Sequence, residues 1–302
     1  MQIADFYKTQ RFWAYSATWF GCTADLLLEN SAILILYMNK LGATASLILF
    51  TSGISSLITM FLQIPSGSIV GYLGPKRGIF VSSGIVIAAF ILISSGPFWE
   101  SGGKAVVVLG VALHAVSRAL WNVSWYLILG NILRPHERGM FLGTMRFSYY
   151  LLNTVFFFAL GIALTSISSI EFLQAIFLCV GMLSVGRILV ISELKLNHWK
   201  KIGETSRTIK DAFRLSLVNS SLVGAAIYTA VISFAFAPVM QLALIYFKEG
   251  MKLDAGNVQL ISSIGLGGNI CAALFYDKIL KRFGMKIFQI SIHFSFILIC
   301  AG

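Results

Sequence analysis

The chain has 302 residues, of which 57% are hydrophobic and 12% charged, with a mean hydropathy of +0.83; this composition excludes a soluble globular protein and indicates a polytopic membrane protein. A formal net charge of +11 would suggest a nucleic-acid partner in a soluble chain. Here the Lys and Arg residues fall in short connections between apolar runs, so the charge reports topology and no nucleic acid is implied.

The N-terminal stretch lacks a basic region followed by a short apolar core and a small-residue cleavage site, so the first apolar run is retained as a helix. Runs long enough to cross a hydrocarbon core occur at roughly 12–38, 44–72, 78–97, 104–131, 140–164, 171–193, 216–247, 255–279 and 287–302. Six helices, a polar basic linker and a new series of helices suggest two repeated halves. The expected organisation is a complete six-helix bundle over 1–193, a cytoplasmic linker over 194–215, and an incomplete second bundle over 216–302. The last run ends in FSFILICAG with no polar cap, so a fragment of a longer protein or a truncated reading frame is expected.

Eighteen Lys and Arg residues fall on one set of alternate connections and four on the other, which places the N-terminus inside by the positive-inside rule, in a cytoplasmic membrane. Arg187 is counted with the inner set. Cys22, Cys179, Cys271 and Cys300 lie far apart within apolar sequence, without redox or metal spacing, and read as packing residues. No metal or cofactor site is implied. GLGGN at 265–269 lies within an apolar helix and follows no strand, so it reads as small-residue helix packing, and no Walker sequence points to ATP hydrolysis.

Two of the spans carry charge at mid-depth. Asp25 and Glu29 lie one turn apart in the first, and His114 and Arg118 one turn apart in the fourth, a step of about 6 Å along each helix. The two helices run in opposite directions, so Asp25 is expected level with Arg118, and the four groups form facing stripes if the helices are neighbours. A charge at the bilayer centre costs about 2.5–3.5 kcal/mol on insertion scales, so these groups should turn toward partners or water. An Asp25–Arg118 pair could simply pin two helices together. The second acid is then a surplus carboxylate suited to carrying a proton. Around them, Trp121, Asn122, Trp125 and Tyr126 on the fourth span, Tyr149 and Asn153 on the fifth, Tyr228 and Gln241 on the seventh, and Asn269 on the eighth are candidates to line a substrate cavity.

The connection IPSGSIVGYLGPKRG, residues 64–78, resembles the signature loop of the major facilitator superfamily between its second and third helices. Gly67, Gly74, Lys76 and Arg77 fall on the pattern, and Gly71 stands where that pattern has Asp. A looser copy, ALFYDKILKRFGMK, follows the eighth run with Asp277, Lys278, Gly284 and Lys286, and RPHERGMFLGTMR is similar to the family's P-x-x-R-G turn through Pro135, Arg138 and Gly139. Arg118 takes the place of the family's helix-four arginine, associated with proton coupling. The fifth span contains no Pro, unlike the Gly-Pro motif of the family's drug/proton antiporters.

The resemblance implies an all-α transporter rather than an enzyme, working by alternating access. Gly67, Gly71, Gly74, Lys76, Arg77, Arg138 and Asp277 would then form a cytoplasmic gate. The expected partners are a small-molecule substrate, protons and the lipid bilayer. An uncoupled facilitator and a non-transporting membrane protein are the alternatives, and the direction of transport and the substrate, whether drug, sugar or metabolite, stay open.

Overall fold

The first apolar run forms two helices, not one. In the computed structural model, which describes residues 3–134, 137–196, 218, 224, 239 and 241–301, α1 (Ile3–Glu29) and α2 (Ile33–Lys40) are bent by 51° across a short break. A continuous helix over 12–38 is thus corrected. No Pro or Gly causes the bend, since the intervening residues are Asn30, Ser31 and Ala32. Ser31 turns its hydroxyl back onto the Leu27 carbonyl at 2.6 Å, an alternative to the helical ladder that short polar side chains offer. Beyond the break every residue from Ile33 to Met38 is buried, and the Tyr37 hydroxyl donates to the Ile93 carbonyl at 2.8 Å.

The following helices lie where the apolar windows put them: α3 (Ala45–Leu73), α4 (Pro75–Ser94), α5 (Gly103–Ile132), α6 (Arg138–Ser166) and α7 (Ile170–Glu193). Thr44 and Ser169 cap α3 and α7 by accepting hydrogen bonds from the N–H groups of Leu47 and Phe172. α4 starts earlier than the expected residue 78 because Pro75 opens it, and Pro is tolerated in a first helical turn, where its missing N–H has no partner to lose. Of the expected span 216–247, the described part is residues 218, 224 and 239 and the final stretch from 241, which runs into a π turn at Tyr246–Gly250. The linker lies mostly outside the described residues. α8 (Ala255–Ala301) contains a break at Gly284, so it comprises two helices where a longer polar connection was expected. Among the described residues six helices are long and apolar enough to cross a membrane, or seven if the bent α1–α2 pair is one span.

The two loops share a backbone conformation at one glycine each. Gly74, between α3 and α4, has φ 87° and ψ 153°, and Gly284 has φ 74° and ψ 166°. This region of backbone space is essentially closed to residues with a Cβ, and both glycines stand two residues before a Lys, Lys76 and Lys286.

α5 packs along α3 and α4, α4 against α7, α1 against α7 and α6, and α6 against α8. The α4–α5 contact is close because Gly110 has no side chain; a Cβ there would lie 2.5 Å from Ile93 Cγ1 and 3.0 Å from the Ala89 carbonyl oxygen. The α6–α8 contact joins the two halves in the same way, with a Cβ on Gly256 falling 2.8 Å from the Gly161 carbonyl oxygen. Two apolar clusters form the core, one of them extending to Leu244, Ile245, Val258 and Leu266. One gathers α2 with parts of α4 and α7, the other Trp121, Trp125 and Ile128 with Ala14, Ala17 and Ile191. Polar side chains, among them Ser82, Ser83, His114, Ser117 and Arg187, are buried between them. There Ser117 donates to the Ser82 carbonyl at 2.8 Å, joining α4 to α5.

If main-chain approach sets the α4–α5 spacing, Gly110→Ala should destabilise the chain by about 1–3 kcal/mol, as overpacking does, and lower its unfolding temperature in detergent. Gly84→Ala, on the same helix pair but facing open space, should leave that temperature unchanged.

Candidate functional site

α1 and α5 bring all four mid-depth groups together, but not in the expected pairing. His114 Nε2 lies 3.2 Å from Asp25 Oδ1, and Arg118 Nη1 forms an ion pair with Glu29 Oε1. The expectation that Asp25 meets Arg118 at the same level is therefore corrected. The reason is reach: the long Arg118 side chain extends to the helix end at Glu29, while the His114 ring is held between Asp25 and the edge of Phe90, ring centroids 5.7 Å apart. His114 is 2% exposed, whereas the Glu29 and Arg118 side chains are 28% and 27% exposed. Of the four groups His114 alone is sealed in the bundle; the Asp25 side chain is 22% exposed, so both carboxylates border open space.

A second guanidinium changes the charge balance. Arg187, counted from sequence with the cytoplasmic basic residues, is 2% exposed inside the bundle. Its Nε donates to Ser83 Oγ at 2.9 Å, and its guanidinium carbon sits 4.6 Å above the centre of the Trp121 ring, a cation–π contact. It can lie flat on α1 because Gly21 has no side chain; a Cβ there would come within 2.7 Å of Arg187 Nη1. Two carboxylates, Asp25 and Glu29, are therefore accompanied by two guanidinium groups, Arg118 on Glu29 and Arg187 on Ser83 and Trp121. Arg187 was legible as a candidate: it stands inside the apolar run GMLSVGRILVIS, and a charge in a span is by default a functional hypothesis.

The expected cavity lining is less open than the sequence suggests. Trp121 and Trp125 stack on one another with centroids 5.0 Å apart and are each 5% exposed, so they form the floor under Arg187 rather than an open wall. Asn153 is 1% exposed and donates from Nδ2 to the Tyr149 carbonyl at 2.8 Å, and Tyr149 packs on Tyr150. Asn122 and Asn269 are half-buried, and Tyr126 is 62% exposed. Gln241 is buried and donates from Nε2 to the Glu29 carbonyl at 2.9 Å. Tyr228 lies outside the described residues. A cavity of about 580 Å³ lies away from this cluster, at the α3–α4 turn and the end of α7, lined by Lys76, Arg77, Glu193 and Lys195. Among the described residues no cluster of His, Cys, Asp and Glu has the geometry of a metal site.

A sequence model of the Major Facilitator Superfamily matches residues 14–302. The chain belongs to the major facilitator superfamily. It is accordingly a multi-pass membrane protein of a transporter family and not an enzyme, and a solute is what it moves. No curated protein matches the chain significantly. Within this superfamily member, the signature loop places Lys76 Nζ on the Ser192 and Leu194 carbonyls at 2.9 and 2.8 Å, a cation on the open carbonyls of a helix C-terminus. Those carbonyls belong to the same half. Gly67 and Gly71 lie on α3, Gly74 forms the turn, and Arg77 and Arg138 are exposed. The Asp277 side chain lies outside the described residues. Arg11 pairs with Glu137 at 2.6 Å, tying α1 to the start of α6 beside the P-x-x-R-G turn.

The observed pairing is testable by double-mutant cycles on unfolding temperature in detergent. Glu29→Gln and Arg118→Gln should be non-additive, with a coupling of about 0.5–3 kcal/mol. Asp25→Asn and Arg118→Gln should be closer to additive. Stronger coupling in the second cycle than in the first would restore the level pairing and refute the arrangement described here.

Proposed function

We propose that the chain is a proton-coupled secondary transporter working by alternating access across a cytoplasmic membrane with its N-terminus inside. The observation that carries this reading is the contact between Nε2 of the buried His114 and Oδ1 of the part-exposed Asp25, one helical turn from the Glu29–Arg118 pair. His is the side-chain type whose ordinary titration falls nearest neutral pH, and a carboxylate within hydrogen-bond reach can orient it and exchange a proton with it.

Asp25, Glu29, Arg118 and Arg187 together carry no net charge while His114 is neutral. One proton on the His114–Asp25 pair makes the cluster cationic, and in a low-dielectric interior that change is felt by every charge within a few ångströms. Arg118 is the group free to respond, because its partner Glu29 stands at the broken end of α1 and borders open space. Weakening that pair would change the attraction between α1 and α5 and so bias one facing of the transporter over the other. Setting Arg187 aside as a bundle residue, the inner connections still hold seventeen of the Lys and Arg residues against four, which supports the inward N-terminus. The mixed charges and aromatic rings suit small metabolites, sugars and amphipathic drugs, for uptake or efflux.

In proteoliposomes loaded with a pH-sensitive dye, compounds from a metabolite and drug panel that are transported should move protons with them. Asp25→Asn and His114→Gln should abolish gradient-driven accumulation of such a compound and leave its exchange across the bilayer in place. Accumulation unaffected by pH in the unaltered chain would select the uncoupled facilitator instead.

A further inference from the structure

Three polar side chains of the second half converge on the break in the first span, and none of them belongs to the ion cluster. Gln241 donates from Nε2 to the Glu29 carbonyl at 2.9 Å. Ser262 donates from Oγ to the Asn30 carbonyl at 2.7 Å. Gln259 accepts at Oε1 from the Ala32 N–H at 2.9 Å. All three side chains are at most 2% exposed.

The main-chain groups they meet are those that the break sets free. In a continuous helix the carbonyls of Glu29 and Asn30 would accept from residues 33 and 34, and the Ala32 N–H would donate to residue 28. Here the ladder stops with the Asn30 N–H on the Leu26 carbonyl, and the Ile33 N–H turns to Ser31 Oγ. Inside a bilayer or a protein core, backbone groups released in this way must find partners or water. The first half supplies none to these three groups among the described residues. The second half does, and Gln259 also reaches the Phe157 carbonyl on α6 at 3.5 Å, beside the close α6–α8 contact.

We propose that Gln241, Gln259 and Ser262 form a clasp that holds the two halves closed at the α2 end of the molecule, by bonding to backbone groups that only the broken first span exposes. The clasp exists in the closed arrangement and is exchanged for water when the halves part there, so it is a differential interaction of the kind that sets a conformational equilibrium. A broken helix therefore does two things at once. It ends α1 at Glu29, within reach of Arg118, and it presents unpaired backbone to the opposite half. Ordinary helix packing would also bury polar side chains, but such contacts would persist in every state, and that difference decides the test. The clasp depends on the halves moving and not on proton coupling, so its test uses neither a pH gradient nor a solute.

The experiment takes the full chain with Cys22, Cys179, Cys271 and Cys300 replaced by alanine and Ala32→Cys introduced, in sealed vesicles of both orientations. The readout is the rate at which the thiol at position 32 reacts with a charged, membrane-impermeant maleimide. With the clasp intact, reaction should be slow and confined to one face. Gln241→Ala, Gln259→Ala and Ser262→Ala should each raise the rate from that face about fivefold or more, and Ser262→Thr, which keeps the hydroxyl, should not. Unchanged rates in the three alanine variants would overturn the proposal. Should those variants fail to reach the membrane, the single Ala32→Cys chain still decides: a thiol that never reacts from either face shows static packing, and slow one-sided reaction shows a closure that opens.

Discussion

The charges that α1, α5 and α7 carry inside the spans are the constraint the rest of the first bundle answers to. Each would cost several kcal/mol against lipid, and the cost is offset only if the helices carrying them stay together. Asp25 is answered by His114, Glu29 by Arg118, and Arg187 by Ser83 and the face of Trp121. The rest of the first bundle is arranged around that requirement. Apolar clusters lie on both sides of the polar layer, and glycines at positions 21 and 110 let side chains and backbones approach where a methyl group would intrude. An isolated buried ion pair adds little stability over apolar packing. What such a pair offers and apolar packing does not is a strength that would change with protonation, as the proposed coupling requires.

The break between α1 and α2 belongs to the same logic. A straight helix would have satisfied its own backbone and had nothing to offer the second half. Broken at Asn30–Ala32, the span leaves carbonyl and N–H groups that are paired by Gln241, Gln259 and Ser262. The ion cluster and the contact between halves meet in one residue, because Glu29 uses its carboxylate for Arg118 and its carbonyl for Gln241. Side-chain charge and main-chain geometry are thereby connected through a single position.

Much of this was legible in the sequence. The limits of several spans follow from apolar length, because the bilayer imposes one thickness on every crossing helix, and α3, α5, α6 and α7 end within a few residues of their windows. Asp25, Glu29, His114 and Arg118 stand out because charge in a span demands an explanation. The pairing among them did not follow, since it depends on side-chain reach and on the His114–Phe90 contact, which helical spacing alone does not encode. The bend was hidden for a related reason: Asn30 and Ser31 are weak helix formers but do not break a helix by themselves, and the partners on Gln241, Gln259 and Ser262 that satisfy a break there lie far away in sequence. Arg187 was misplaced by proximity to the basic linker, although its apolar neighbours on both sides marked it as buried. Gln259 and Ser262, three residues apart in an otherwise apolar helix, carried a signal of the same kind, a polar stripe too short to register by composition.

The turn at Gly74 joins α3 to α4 with a single residue, and Gly284 repeats it within α8. A connection that short has no slack: the two helices it joins cannot twist independently, and an inserted residue has nowhere to be absorbed. The ends of α3 and α4 that meet at Gly74 are consequently tied to each other, and neither can shift there without the other.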